Sequence, residues 1–301
     1  MVATPDVMEA AGGIVARAQT SLWKDAWRRL RRNRLALLAT VFLALLLLVA
    51  AVAFAWTPYD FAHQGVGPTY GGLSSAHVLG LDHEGRDILS RLMKGAQVSL
   101  AVGLGSQSVV LLVGVIVGLV AGFFRGWFDT VISLLINVFY GIPDLLVALI
   151  LVEVVAGGRP QLSFIIIAIA ATRWMDMARL VRGQALSLRE REFVEAARAA
   201  GARPLKLIFG HILPNALGPV IVQATIGIPA AILFEATLSF LGLGVQPPTP
   251  SWGSMASDGA RAMRLAPHIV LVPAIALSLT LMAFNFLGDG LRDALDPRQK
   301  R

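Results

Sequence analysis

From Leu35 to Trp56 the chain reads LALLATVFLALLLLVAAVAFAW, a run without one charge. As a helix it extends about 33 Å, enough to cross the hydrocarbon of a bilayer. Further apolar runs follow at about 98–124, 131–156, 162–178, 217–241 and 266–287. The third is interrupted by GIPD at 141–144, and Pro229 and Pro273 fall inside the last two. Membrane helices tolerate such prolines where neighbours re-satisfy the backbone. Only 15% of the residues are charged, against about 25% in soluble proteins. The sequence therefore predicts an all-α integral membrane protein with six transmembrane helices. The first run is too long, and the leader before it too extended, for a cleaved signal peptide.

Charge placement orients this scheme. Six spans put both termini on one side. Residues 1–34, the turn at Arg125, the stretch 173–216 and the tail after Leu287 together carry 20 of the 26 lysines and arginines. The positive-inside bias then places amino and carboxyl termini in the cytoplasm. The organisation expected is a basic cytoplasmic segment at 1–34, a first span at 35–56 and an extracytoplasmic segment at 57–97. A helical core at 98–288 and a cytoplasmic tail at 289–301 complete it. The net charge of +7 reflects these flanking clusters, so no nucleic-acid partner is expected. Trp56 and Tyr59 suit an interfacial aromatic belt, as does Trp252 in VQPPTPSWG. There is no cysteine, which excludes disulfides, thiol catalysis and thiolate metal sites.

Within the core, Gly114, Gly118 and Gly122 recur every fourth residue, a spacing that lets membrane helices approach closely. Asp144, Glu153 and Glu235 fall inside spans, with Gln107, Asn137, Gln223 and Asn285 as lesser polar positions. Buried acids are costly in a membrane; these residues either bond across helices or line a translocation path. LDHEGRD at 81–87 gathers Asp82, His83, Glu84 and Asp87, and reads as a structural outer turn leading into a short helix rather than a metal site.

The longest polar stretch between spans contains EFVEAARAAG at 192–201. A helical wheel puts Phe193, Val194, Ala196, Ala197, Ala200 and Gly201 in one arc, opposite Arg191, Glu195 and Arg198. Arg191 and Glu195 are spaced to pair. Gly201 is placed to end the helix, and Pro204 prevents its continuation. An alanine and glycine face is a poor lipid anchor and suits close protein packing better.

This stretch resembles the EAA loop of ABC-importer permeases: Glu195, Ala196, Ala197, Gly201, Leu213 and Pro214 match. GRDILSR at 85–91, ARLVRG at 178–183, HILPN at 211–215, LSFLGLGVQPPTPSWG at 238–253 and NFLGDGLRDALDP at 285–297 resemble the dipeptide/oligopeptide/nickel permeases of the DppC/OppC type, with glutathione permeases close by. The likeness runs from about Trp27 to the end. It implies one amino-terminal helix plus a five-helix MetI-like core in a bacterial inner membrane. It also implies that Phe193, Glu195, Ala196, Ala197, Arg198, Ala200, Gly201, Leu213 and Pro214 form a coupling element docked on an ATPase. Partners implied are a homologous permease of DppB/OppB type, two ATPase subunits of DppD/DppF type and an extracytoplasmic peptide-binding protein. No cofactor is expected on this chain; ATP and Mg²⁺ belong to the ATPases. Peptide is the cargo implied first, glutathione or a nickel chelate second. Asp144 follows Ile142-Pro143 where the family is often uncharged, so the likeness assigns it no role.

Enzymatic rivals lack their signatures. None of the four lysines lies in a phosphate-cradling G-x-x-x-x-G-K-[ST] string, and no H-E-x-x-H or G-x-S-x-G is present. A secondary transporter would show inverted repeats or paired broken helices, and neither is clear in the sequence.

Overall fold

The computed structural model describes residues 22–157 and 160–295. Among them extended backbone pairs only at an isolated bridge between Leu81 and Asp87. Helix α1 (Leu22–Arg32) leads into α2 (Arg34–Ala55), whose first turn is capped by the Asn33 side chain accepting from the Ala36 amide. The buried positions of α2 are Ala36, Ala39, Leu43, Ala50 and Ala53, one narrow face at helical spacing. Its other leucines stay exposed, as a lipid-facing surface requires.

The core begins with α3 (Ile88–Phe124) and α4 (Gly126–Tyr140). Next comes α5 (Asp144–Ile150), extended by a π turn over Leu151–Val155, then α6 (Leu162–Arg189). The short helices α7 (Glu192–Ala199) and α8 (Pro204–Leu207) follow, with a second π turn at Ile208–Ile212. The last described helices are α9 (Leu213–Phe240), α10 (Trp252–Arg261) and α11 (His268–Leu295). Among the described residues, four continuous stretches are long and apolar enough to cross a membrane: α2, α3, α8 through α9, and α11. The α4 and α5 pair is a fifth by the same measure, bent by 86°. Helix α6 has the length, at 28 residues, but carries Arg173, Asp176 and Arg179 in its middle.

The all-helical, multi-pass class therefore stands, with several bounds corrected. Helix α3 starts at Ile88, not near 98, because Asp87 caps it by accepting from the Ser90 amide; LDHEGRD opens the long span itself. Helix α6 runs on to Arg189, so the expected polar stretch from 173 is half helix. It is held there by packing on α3, the most extensive helix contact among the described residues. The seam has a simple cause. A Cβ on Gly114 would lie 2.5 Å from Met177 Cβ, one on Gly118 2.6 Å from the Ala178 carbonyl oxygen, and one on Gly122 2.6 Å from Ala185 Cβ. Only glycine permits this approach. Trp252 is not interfacial: it is 1% exposed, its amide donates to Ser99 Oγ and its indole to the Leu92 carbonyl.

Residues between α2 and α3 form a cap. Asp82, Arg86 and Asp87 are buried there, beside buried Arg91 from the first turn of α3. Arg86 Nε lies 2.7 Å from Asp82 Oδ2, Arg91 Nε 3.3 Å from the same oxygen, and His77 Nδ1 3.0 Å from Asp87. Tyr59 belongs to this network, its amide bonded to Ser90 Oγ and its ring tilted on His77.

Candidate functional site

Two features stand apart from the packing. The first is α7. Of its residues only Val194 is buried, inserted with half-buried Ala197 into an apolar cluster containing Val110 and Leu119 of α3, Met177 and Val181 of α6, and Val220 of α9. Phe193, Glu195, Ala196, Arg198 and Ala200 are exposed. The single arc expected from the wheel is thus split: Val194 and Ala197 face inward, and Phe193, Ala196 and Ala200 face out. The Arg191–Glu195 pair is not formed. The helix ends in a Schellman motif. The Ala202 amide donates to the Ala197 carbonyl, the Gly201 amide to that of Arg198, and Gly201 takes φ +82°. A Cβ on Gly201 would meet nothing within 4 Å. Leu213 packs on the same cluster, while Pro214 is exposed in the first turn of α9.

The second feature is a polar seam in the middle of the bundle. Gln107, Ser106, Arg173, Asp176, Gln223 and Gly227 border a cavity of about 90 Å³ between α3, α6 and α9. Helix α9 crosses α3 tightly there: a Cβ on Gly227 would fall 2.1 Å from Gln107 Oε1. Asp144 joins this border through Arg173, whose Nη2 lies 2.9 Å from its Oδ2. The Tyr140 hydroxyl donates to Asp176, and Arg179 lies over the Tyr140 ring at 4.1 Å.

The remaining sequence-named positions scatter. Asn137 is exposed on α4, one turn before Tyr140; Glu153 is exposed in the π turn, and Asn285 is exposed on α11. Glu235 is fully buried near the cap end of α9, where Ser239 and Ser251 hydroxyls donate to Oε1 at 2.6 and 2.7 Å. Arg173 and Asp176 escaped the sequence reading because they fall where the expected span at 162–178 overlaps the polar stretch beginning at 173. Charges of opposite sign three apart inside an apolar run were the available signal. No group of three or more His, Asp or Glu side chains suited to a metal occurs among the described residues.

Spanning helices packed through glycine seams, with a small cavity bordered by several polar side chains between them, define a multi-pass helical membrane protein. A family model described as the inner membrane component of binding-protein-dependent transport systems matches residues 114–301. One for the N-terminal transmembrane domain of oligopeptide transport permease C matches residues 21–69. The glutathione transport system permease protein GsiD of Salmonella typhimurium is 44% identical over 282 residues, covering 92% of this chain and 91% of that protein. GsiD of Escherichia coli O157:H7 is 42% identical over the same span. A solved structure of the MetNI methionine ABC transporter in inward-facing conformations aligns with a TM-score of 0.56 at 21% identity, over 68% of this chain and 96% of the matched one. An amino acid ABC transporter solved with histidines aligns at 0.52 and 16%, over 67% and 92%. The chain belongs to the family of inner-membrane components of binding-protein-dependent transport systems. It is a permease subunit of an ABC importer with a MetI-like fold, and the ATPase resides on a separate subunit.

Proposed function

We propose that this permease imports short peptides, glutathione among them, in a complex with a second permease, two ATPase subunits and an extracytoplasmic binding protein. The similarity to GsiD across nine tenths of both chains carries the choice of cargo. In this reading both termini and α7 are cytoplasmic, as the charge asymmetry favours.

Helix α7 receives the force. Its outward face offers Phe193, Ala196, Ala200 and Gly201 to a cleft on the ATPase, with Glu195 and Arg198 beside them. Its inward anchor, Val194, belongs to the apolar cluster that joins α3, α6 and α9. A push on α7 therefore moves three helices together, because packed interiors transmit displacement rather than absorb it. ATP and Mg²⁺ act on the ATPases, and this chain converts their closure into a change of access. Asn137, Tyr140, Asp144, Asp176 and Arg179 leave polar groups exposed on one side of the isolated chain. Lipid tolerates such groups poorly, so that side faces the partner permease and the water path. Gln107 and Gln223 continue the path inward.

Reconstitution of all five components in proteoliposomes tests this. ATP-dependent uptake of radiolabelled glutathione or dipeptide is expected, and uptake of a nickel–histidine chelate is not. Accumulation driven by an ion gradient without the ATPases would instead identify a secondary transporter.

A further inference from the structure

Arg173 and Asp176 lie one turn apart in the middle of α6, and charges inside spanning helices are rare and mark solute paths. Each is held from a different side of the bend in the α4 and α5 pair. Tyr140, the last residue of α4, donates to Asp176; Asp144, the first of α5, pairs with Arg173. Neither charge is saturated. Arg173 Nε is buried without a partner, and its guanidinium lies 5.0 Å from the Phe234 ring centre. Asp176 forms no ion pair among the described residues. The buried Ser106 hydroxyl beside them also lacks a partner.

The space they border sets a size. About 90 Å³ corresponds to roughly three water volumes. That accommodates the charged end of a solute and not a whole peptide. A wider groove of about 440 Å³ continues from it toward the α7 end, sharing Gln223 and Ile226 as common walls.

We propose that Arg173 and Asp176 recognise the zwitterionic γ-glutamyl head of glutathione, carboxylate on Arg173 and ammonium on Asp176, and that Asp144 and Tyr140 hold these positions when the site is empty. Side chains three apart on a helix share one face, with Cβ atoms about 5–6 Å from one another, so both can reach a solute group placed between them. The exchange conserves charge. The cargo carboxylate replaces the Asp144 carboxylate on the guanidinium, a charge-assisted contact in either case. The ammonium replaces the Tyr140 hydroxyl on Asp176. Both ties across the bend are released together, so an occupied site frees the α4 and α5 pair from α6. The site rests on the peptide-import reading and adds to it the residues that discriminate.

Equilibrium binding to the complete transporter in nanodiscs, without its binding protein, tests the site. The probes are glutathione, its N-acetyl form and its form amidated at the γ-glutamyl α-carboxylate. Unmodified glutathione is expected to bind at least tenfold tighter than either capped form. Arg173→Gln should erase the preference over the amide alone, Asp176→Asn the preference over the acetyl form alone. Asp144→Asn should tighten glutathione binding several-fold by removing the competitor. Equal binding of all three probes to the native transporter, or equal loss of all three in each variant, would make the cluster a structural clasp and overturn the proposal. If Arg173→Gln does not assemble, unchanged affinity in Asp144→Asn overturns it equally. ATP-driven uptake separates the two readings. Native transporter that takes up no peptide defeats the proposed cargo, whereas peptide uptake without discrimination between head groups defeats the site alone.

Discussion

Val194 fixes how α7 is presented. Burying a valine is worth about 1.5–3 kcal/mol, and it is the one fully buried side chain of this helix. Val194→Ser should loosen α7 from the bundle, seen as faster proteolysis of the loop while the spans still insert. Ala196→Trp should do the reverse: the side chain points outward, so the subunit folds normally but loses co-purification with the ATPases and ATP-driven uptake. Retained association in Ala196→Trp would remove this face from the interface. Glu235 makes a different prediction. Its Oε1 accepts from Ser239 and Ser251, tying α9 to the start of α10, each bond worth about 1 kcal/mol. Glu235→Gln retains an acceptor and should leave the thermal midpoint in detergent near native. Glu235→Leu removes the acceptor of both hydroxyls and should lower it by several degrees. Such roles were unevenly legible beforehand. The helix stop at Gly201 could be read from the residues themselves, because it is a local matter, whereas the EAA string was legible through its likeness to a known family. The division of α7 into inner and outer faces could not, because Val194 and Phe193 are adjacent in the same apolar arc and only the α3 and α6 surface distinguishes them.

At the level of helices, the glycine seam and the broken span differ in how far sequence reaches. Gly114, Gly118 and Gly122 announce a close approach by their period, and the structure supplies the partner, α6. Overpacking costs typically about 1–3 kcal/mol. Gly118→Val should exceed that range, since the carbonyl of Ala178 and the backbone amide of Arg182 border the added atoms and cannot rotate aside. Gly183→Ala, on α6 with nothing within 4 Å, is the matched control, expected to gain about 0.5–1 kcal/mol of helix stability. Thermal unfolding in detergent should separate the two clearly; equal midpoints would mean the seam is looser than described. The interruption at Gly141-Ile142-Pro143 was equally visible, yet its 86° angle was not. Proline sets where a helix stops, while the direction of the next helix comes from what it packs on. Here Tyr140 and Asp144 reach the same face of α6, which selects the sharp turn. The end of α6 escaped for a related reason: Arg173, Asp176 and Arg179 end the apolar run, whereas packing on α3 carries the helix through them.

For the whole molecule, the bent pair decides the topology. The cap lies before α3 and the α7–α8 segment after α6, so the crossings between them are α3, the α4 and α5 pair, and α6. If the pair crosses the membrane, cap and α7 lie on opposite sides, as the six-span scheme and the asymmetry of positive charge require. If the pair is re-entrant, they lie on the same side, and the ATPase-facing and delivery-facing surfaces would coincide. The absence of cysteine makes this directly measurable. Ser75→Cys places a thiol on an exposed loop of the cap, and Leu205→Cys one on α8, where the native leucine is 66% exposed. A membrane-impermeant maleimide added to intact cells should label Ser75→Cys alone, and Leu205→Cys only after the inner membrane is opened. Labelling of both from outside would make the pair re-entrant and move α7 away from any cytoplasmic ATPase. Because α7 is anchored to the same helices that border the central cavity, its side of the membrane also fixes which end of that cavity the force enters.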